Sequence, residues 1–200
     1  MIEQVLKSPF DREKQFATKR RAVILSAASA FRRRGYHNTS MRDIGEALGL
    51  TKAALYYYVK NKEEILFESH LMAYGEMDHI LKAPKTDEQS ALDYLEYIFR
   101  NFVRLLTQSG VSILSDVDSL SGERQSEILQ RRQDIERAVT NIVKEGQDDG
   151  SIRSGDARLH VFFFMGALNW LNVWYDSSGR ITGDEIADHF SLQLRHGIAS

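Results

Sequence analysis

The chain reads as an all-α protein, and three observations carry that reading. Apolar residues recur at three- and four-residue spacing along most of its 200 residues. Cap residues (Ser, Thr, Asn) precede the periodic segments, and Gly-rich breaks follow them. Only two prolines are present, and no stretch alternates apolar and polar residues as a half-buried strand would.

Residues 1–17 read as a polar, frayed lead-in, so the first helix is expected to open at Lys19-Arg20-Arg21. Ile24, Ala27, Ala28 and Phe31 form its apolar stripe, and Arg32 to Arg34 suit its C-terminus before Gly35 stops it. Ser40 with Asp43 approximates a capping box for a second helix, with Met41, Ile44 and Leu48 inward and an end near Gly49. Thr51 caps a third helix to about Val59, with Leu55 and Val59 as its inner pair. Asn61 caps a fourth, 62–81. After the linker "KAPKTDEQ", capped by Thr86 and Gln89, helices are expected at 88–108, 111–119, 123–148, 156–175 and 183–198. Thr182 and Glu185 form a capping box for the last of them.

Composition narrows the function classes. A hydrophobic share of 42% and a charged share of 27% are ordinary for a soluble globular chain. With no cysteine, disulfides and thiolate metal sites are excluded, which fits a reducing, cytoplasmic setting. No apolar run follows the first charges, so no secretory signal is expected. The most apolar segment, Val161 to Tyr175, is too short to span a membrane and contains Asn169 and Asn172, so it reads as a buried helix. The net charge of −2 hides an asymmetry. Residues 1–66 carry 13 Lys+Arg against 7 Asp+Glu, whereas residues 67–200 carry 13 against 21. A basic head on an acidic body suggests a polyanion partner at the head. Two domains are expected, 1–66 and 67–200.

The stretch Ser40 to Val59 supplies two helices of about nine residues around a glycine turn, the helix-turn-helix layout whose second helix enters the DNA major groove. Nine residues make about 13 Å of helix, against a groove about 12 Å wide. The outward face of the second helix shows Lys52, Ala53, Tyr56 and Tyr57. Thr51 can offer a hydroxyl to a phosphate, and small Ala53 and Ala54 let the backbone approach base edges. Lys52 is long enough to reach a guanine. The tyrosines lay flat bodies on the groove wall and direct hydroxyls at phosphate oxygens. Thr39 and Ser40, just before the first short helix, and Arg42 in its first turn are further DNA candidates, and Lys62 is placed to pin the flanking backbone.

At these residues the chain resembles the TetR family of one-component transcriptional regulators. The resemblance runs through Gly35-Tyr36, Thr39-Ser40, Asp43-Ile44, Gly49, Leu55-Tyr56 and Lys62-Glu63. Ala53 stands where the family often has Gly, and Val59 where it usually has Phe. The resemblance implies a three-helix DNA-binding head on a helical bundle that dimerises and encloses a small-molecule effector. It further implies a palindromic operator, because two recognition helices read half-sites about 34–36 Å apart. The last two helices are then the dimer surface, with Gly166, Ala167, Phe190 and Leu194 as candidates. Effector-pocket candidates are Tyr94, Phe99, Phe102, Leu106, Phe163, Asn169, Trp170 and Trp174, which combine apolar area with one amide. The segment "NWLNVWYDSSGRITGDEIADHF" resembles the family branch that includes regulators of lipid and sterol breakdown, some of which respond to CoA thioesters. Arg100, Arg104 and Arg131 could draw the phosphates of such a ligand, although solvated helix charges explain them more simply.

No G-x-S-x-G, P-loop or H-E-x-x-H motif is present, and the six histidines have no ligand-like spacing. The reading is therefore a non-enzymatic, repressor-type regulator without cofactor or metal. The alternative is a helical small-molecule-binding or interaction protein whose head does not read DNA.

Overall fold

The computed structural model describes residues 9–111 and 116–198. Among the described residues the fold has eight α-helices: α1 (Pro9–Arg34), α2 (Met41–Ala47), α3 (Lys52–Tyr58), α4 (Lys62–Leu81), α5 (Ala91–Gln108), α6 (Gly122–Asp148), α7 (Ala157–Trp174) and α8 (Gly183–Ile198). A 3-10 turn, Asp116–Ser119, precedes α6. The short helix expected at 111–119 falls partly on residues 112–115, which lie outside the described residues.

Two boundaries differ from the sequence reading for physical reasons. Helix α1 opens ten residues before Lys19, at Pro9. Proline suits a first helical position, where its missing N–H would have no helical partner. The added turns continue the buried side of α1 through half-buried Phe16 and Arg20. Helix α5 is capped by Ser90, not from the Thr86–Gln89 segment. Ser90 and Asp93 exchange a capping box, whereas the Thr86 N–H reaches the Gln89 side chain only at 3.4 Å.

The first three helices form the helix-turn-helix unit. Val23, Ile24, Ala27, Ala28 and Phe31 of α1 bury against Ile44 of α2 and Leu55 and Val59 at the end of α3. Gly49, at φ +63°, makes the turn between α2 and α3. Helix α4 then carries the same core into the bundle through Ile65, Leu66, Ala73 and Met77, where α5 to α8 close around Phe99, Phe102, Ile128, Val143, Phe164 and Leu194. The longest contact within the bundle is between α5 and α8. It is close because Gly183 has no side chain: a Cβ there would stand 2.2 Å from Thr107 Oγ1. Ion pairs line the exposed edge of the same contact, joining Arg104 to Asp184 at 2.8 Å, Arg195 to Glu96 at 2.7 Å, and Arg100 to Asp188.

Candidate nucleic-acid interface

The turn of the motif positions its own side chains. Thr51 Oγ1 accepts the Ala54 N–H at 3.2 Å, which fixes the first turn of α3 and leaves Thr51, Lys52 and Ala53 exposed. Leu55 and Val59 point inward, so Tyr56 and Tyr57 are driven outward, the latter 69% exposed. Lys52 Nζ lies 5.9 Å from the centre of the Tyr56 ring. Ala54 is half-buried and lies behind this surface.

A feature absent from the sequence reading braces the tyrosines. Phe16, in the part of α1 that reads as frayed, packs edge-on to Tyr57 at 5.3 Å and stacks on Tyr58 at 5.4 Å. The signal is present in the spacing: Phe16, Arg20, Val23 and Ile24 extend one helix face at i, i+4, i+7 and i+8. Arg20 continues the brace. Its guanidinium meets Glu64 at 2.9 Å and Glu68 at 2.8 Å, and its Nε donates to the Tyr58 carbonyl at 3.2 Å. The bond to Glu68 is the largest cause of the raised Arg20 pKa. Burial alone would raise the Glu64 carboxyl, but the Lys60 N–H and Arg20 outweigh it and hold its pKa below the usual range.

The flanking candidates are placed differently from one another. Ser40 is exposed, yet its hydroxyl donates to Asp43 at 2.6 Å and accepts the Asp43 N–H. Arg42 is exposed and pairs with Glu46 one turn on, at 2.8 Å. Thr39 is buried, and its hydroxyl donates to the Gly35 carbonyl at 2.9 Å. Lys62, assigned from sequence to a phosphate, instead turns inward. Its Nζ donates to the carbonyls of Tyr36 at 2.7 Å and Thr39 at 3.0 Å, and sits 4.1 Å from the centre of the Tyr36 ring. Two carbonyl dipoles and a ring face hold the ammonium where a phosphate would otherwise be needed. Lys62 and Thr39 thus hold the α1–α2 corner against α4.

In the bundle the eight pocket candidates do not converge. Tyr94, Phe99, Phe102 and Leu106 are buried on α5. The Tyr94 hydroxyl donates to the carbonyls of Leu81 and Ala83, closing the α4–α5 link. On α7, Val161, Phe164, Leu168 and Leu171 take the inner face, which sends Phe163, Asn169, Trp170 and Trp174 outward. Phe163 and Trp170 are 71% and 61% exposed, so they line the outer surface and no internal cavity. Of the interface candidates, Gly166 is exposed and Ala167 and Phe190 half-buried. Leu194 is buried inside its own chain. Arg100, Arg104 and Arg131 each pair with carboxylates. Among the described residues, no three His, Asp or Glu side chains gather to hold a metal ion, and no helix is long and apolar enough to cross a membrane.

A helix-turn-helix unit with an exposed second helix, joined to a helical bundle, defines a DNA-binding regulator with a ligand-binding part. Residues 88–198 match the family described as "Tetracyclin repressor-like, C-terminal domain", and residues 23–68 match "Bacterial regulatory proteins, tetR family". The chain belongs to the TetR family, whose members are regulators and not enzymes. Among its relatives, the transcriptional repressor KstR2 of Rhodococcus jostii is 28% identical over 191 residues, 90% of this chain and 92% of that one. The transcriptional regulator TtgR of Pseudomonas putida is 26% identical over 176 residues, 80% of this chain and 84% of that one. The crystal structure of AibR in complex with isovaleryl coenzyme A and operator DNA has a TM-score of 0.72 and 28% identity, covering 86% of this chain and 95% of that one.

Proposed function

We propose that the protein is a cytoplasmic, ligand-responsive repressor that binds a palindromic operator as a homodimer and is released by a small apolar or acyl-CoA-type effector. The observation that carries the DNA part is the α3 surface of Lys52, Ala53, Tyr56 and Tyr57, exposed together and braced from behind by Phe16. Residues 1–66 form the DNA-reading domain in this proposal, and residues 67–200 the effector-binding and dimerising one. The partner is a second copy, seated on the outer face of α7, where Leu159, Phe163, Trp170 and Val173 are exposed in one chain. Contiguous apolar surface of this kind marks an association site.

The effector class draws on the similarity to AibR, whose structure holds an acyl-CoA and operator DNA together. In this chain the phosphates of such a ligand would have to displace the carboxylates on Arg100, Arg104 and Arg131.

The test is selection from a random duplex pool with the purified protein, followed by titration of the winner at several salt concentrations. A palindromic winner with a steep salt slope is expected. Failure to enrich any sequence would sink the proposal and favour a helical small-molecule-binding protein whose head does not read DNA.

A further inference from the structure

A cleft of about 350 Å³ opens between the head and the body, lined by residues that neither the α3 surface nor the outer face of α7 uses. One wall is α1, through Ser26, Ser29 and Arg32 at successive three-residue steps. The other walls are Gln108, the last residue of α5, and Tyr175 and Ser177, where α7 gives way to its loop. The volume suits a small molecule.

Arg32 is half-buried at this cleft and has no carboxylate within ion-pair distance among the described residues. The other half-buried arginines, Arg20, Arg100, Arg104, Arg124 and Arg195, each hold one. Asp176 lies within electrostatic reach of Arg32 and Arg33, but its carboxylate is taken up by Ser178, accepting the backbone N–H at 2.9 Å and the hydroxyl at 2.8 Å. Those bonds first, and the two arginines after them, hold the Asp176 carboxyl below the usual range. The α1 hydroxyls are uncommitted as well. Thr18, Ser69, Thr107 and Thr140 each return a hydroxyl to the carbonyl four residues back, at 2.6 to 2.9 Å. Ser26 and Ser29 make no such bond among the described residues and line the cleft instead. A guanidinium without a counter-charge, beside unengaged hydroxyls, is suited to an oxyanion. The ends of α5 and α7 add carbonyls without helical partners, which call for hydroxyl donors on the same ligand.

We propose that this cleft is a small-molecule site for a polyhydroxylated oxyanion, whose carboxylate or phosphate pairs with Arg32 and whose hydroxyls exchange hydrogen bonds with Ser26, Ser29 and the helix ends. The site goes beyond the effector and operator readings and depends on neither. It is reached from the surface, where Ser26, Gln108 and Ser177 are exposed, so no helix has to part for the ligand to enter. A molecule seated there touches α1 of the head and the ends of α5 and α7 of the body at once, and so ties one to the other.

The test is calorimetric titration and thermal unfolding of the full chain, Arg32→Gln and Ser26→Leu, at constant ionic strength. The probes are gluconate, glucose 6-phosphate, glucose and inorganic phosphate. Gluconate and glucose 6-phosphate separate a carboxylate source from a phosphate source. At least one of the two is expected to bind the wild type and, at about tenfold its Kd, to raise the Tm by about 3 °C. Glucose lacks the charge and inorganic phosphate lacks the hydroxyls, so each should bind at least about tenfold more weakly. Arg32→Gln should weaken the oxyanion by a similar factor. Ser26→Leu keeps the charge but narrows the cleft from an exposed position, and should weaken it too. Without probe, both variants should melt within about 2 °C of the wild type, since neither side chain makes a hydrogen bond among the described residues. No binding of either oxyanion to the wild type, or equal binding to the wild type and both variants, would overturn the site. An Arg32→Gln chain that melts far lower would assign the guanidinium to the fold and overturn the pairing. Inorganic phosphate bound as tightly as glucose 6-phosphate would overturn the ligand class.

Discussion

Lys52 and Lys62 are both lysines at a helix start, ten residues apart, and the sequence assigned both to DNA. Tertiary structure separates them. Lys52 is exposed on α3, while Lys62 bonds two carbonyls and covers a ring in the α1–α2 corner. Lys52→Ala is expected to alter base preference at one position per half-site by about 1–3 kcal/mol, read by competition with operator variants, and to leave stability unchanged. Lys62→Ala is expected to lower unfolding stability by about 1.5–3 kcal/mol, from the loss of charge-assisted bonds, while leaving the salt slope of DNA binding intact. A flattened slope with unchanged stability would return Lys62 to phosphate contact. A titration gives a third residue-scale test. Burial on α4 holds the folded His70 pKa below its unfolded value, so its contribution is complete above about pH 6.5 and is lost as pH falls toward 4. Urea midpoints at pH 7.5 and 5 should then differ by the equivalent of about 2 kcal/mol in the wild type, and by much less in His70→Phe.

At the scale of elements, cap chemistry and period carried most of what could be read beforehand. Ser40, Thr51 and Asn61 start α2, α3 and α4 where their side chains said they would. Helix α7 shows where that reading runs out. It is apolar on nearly every side, so period cannot say which aromatics turn inward, and the sequence groups Phe163 and Trp170 with Phe99 and Phe102 although they face the opposite way. The start of α1 escapes the same reading because its polar residues mask Phe16, which packs on α3. Close approach between elements is also invisible in sequence. Gly183 reads only as the first helical residue inside a capping box, yet it sets the spacing of α8 on α5. Its missing Cβ would meet Thr107 Oγ1 at 2.2 Å and Thr107 Cβ at 2.7 Å, and a β-branched side chain has little room to turn away. Gly183→Ala should therefore cost about 1–3 kcal/mol by overpacking, despite the better helix propensity of alanine. Thr107→Ser in the same chain leaves the hydroxyl and should not rescue it, whereas Thr107→Gly should. Equal urea midpoints for wild type and Gly183→Ala would show that the helices simply slide apart.

At the scale of the whole molecule, the charge asymmetry and the apolar α7 face have to be explained together. The acidic residues of the body are partly taken up by α5–α8 ion pairs on one edge, and the outer face of α7 carries rings in place of charges. On the proposed palindromic operator, a basic head with a single recognition helix would cover one half-site, so sequence-specific affinity would depend on joining two heads. If the outer face of α7 is that joint, its centre is more sensitive than any residue in the head, because one substitution acts twice across a two-fold axis. Trp170→Glu is the sharpest version. In one chain Trp170 is already 61% exposed, so the change should leave the unfolding of an isolated chain within about 0.5 kcal/mol of wild type. Across a dimer it puts two carboxylates into an apolar contact, which should cost at least about 2 kcal/mol and favour monomers. Sedimentation velocity at micromolar concentration should show the shift to monomer. Operator affinity should fall at least about tenfold with it, while non-specific, salt-dependent binding by each head persists. A Trp170→Glu protein that still sediments as a dimer would place the joint elsewhere and leave the exposed rings of α7 to another partner.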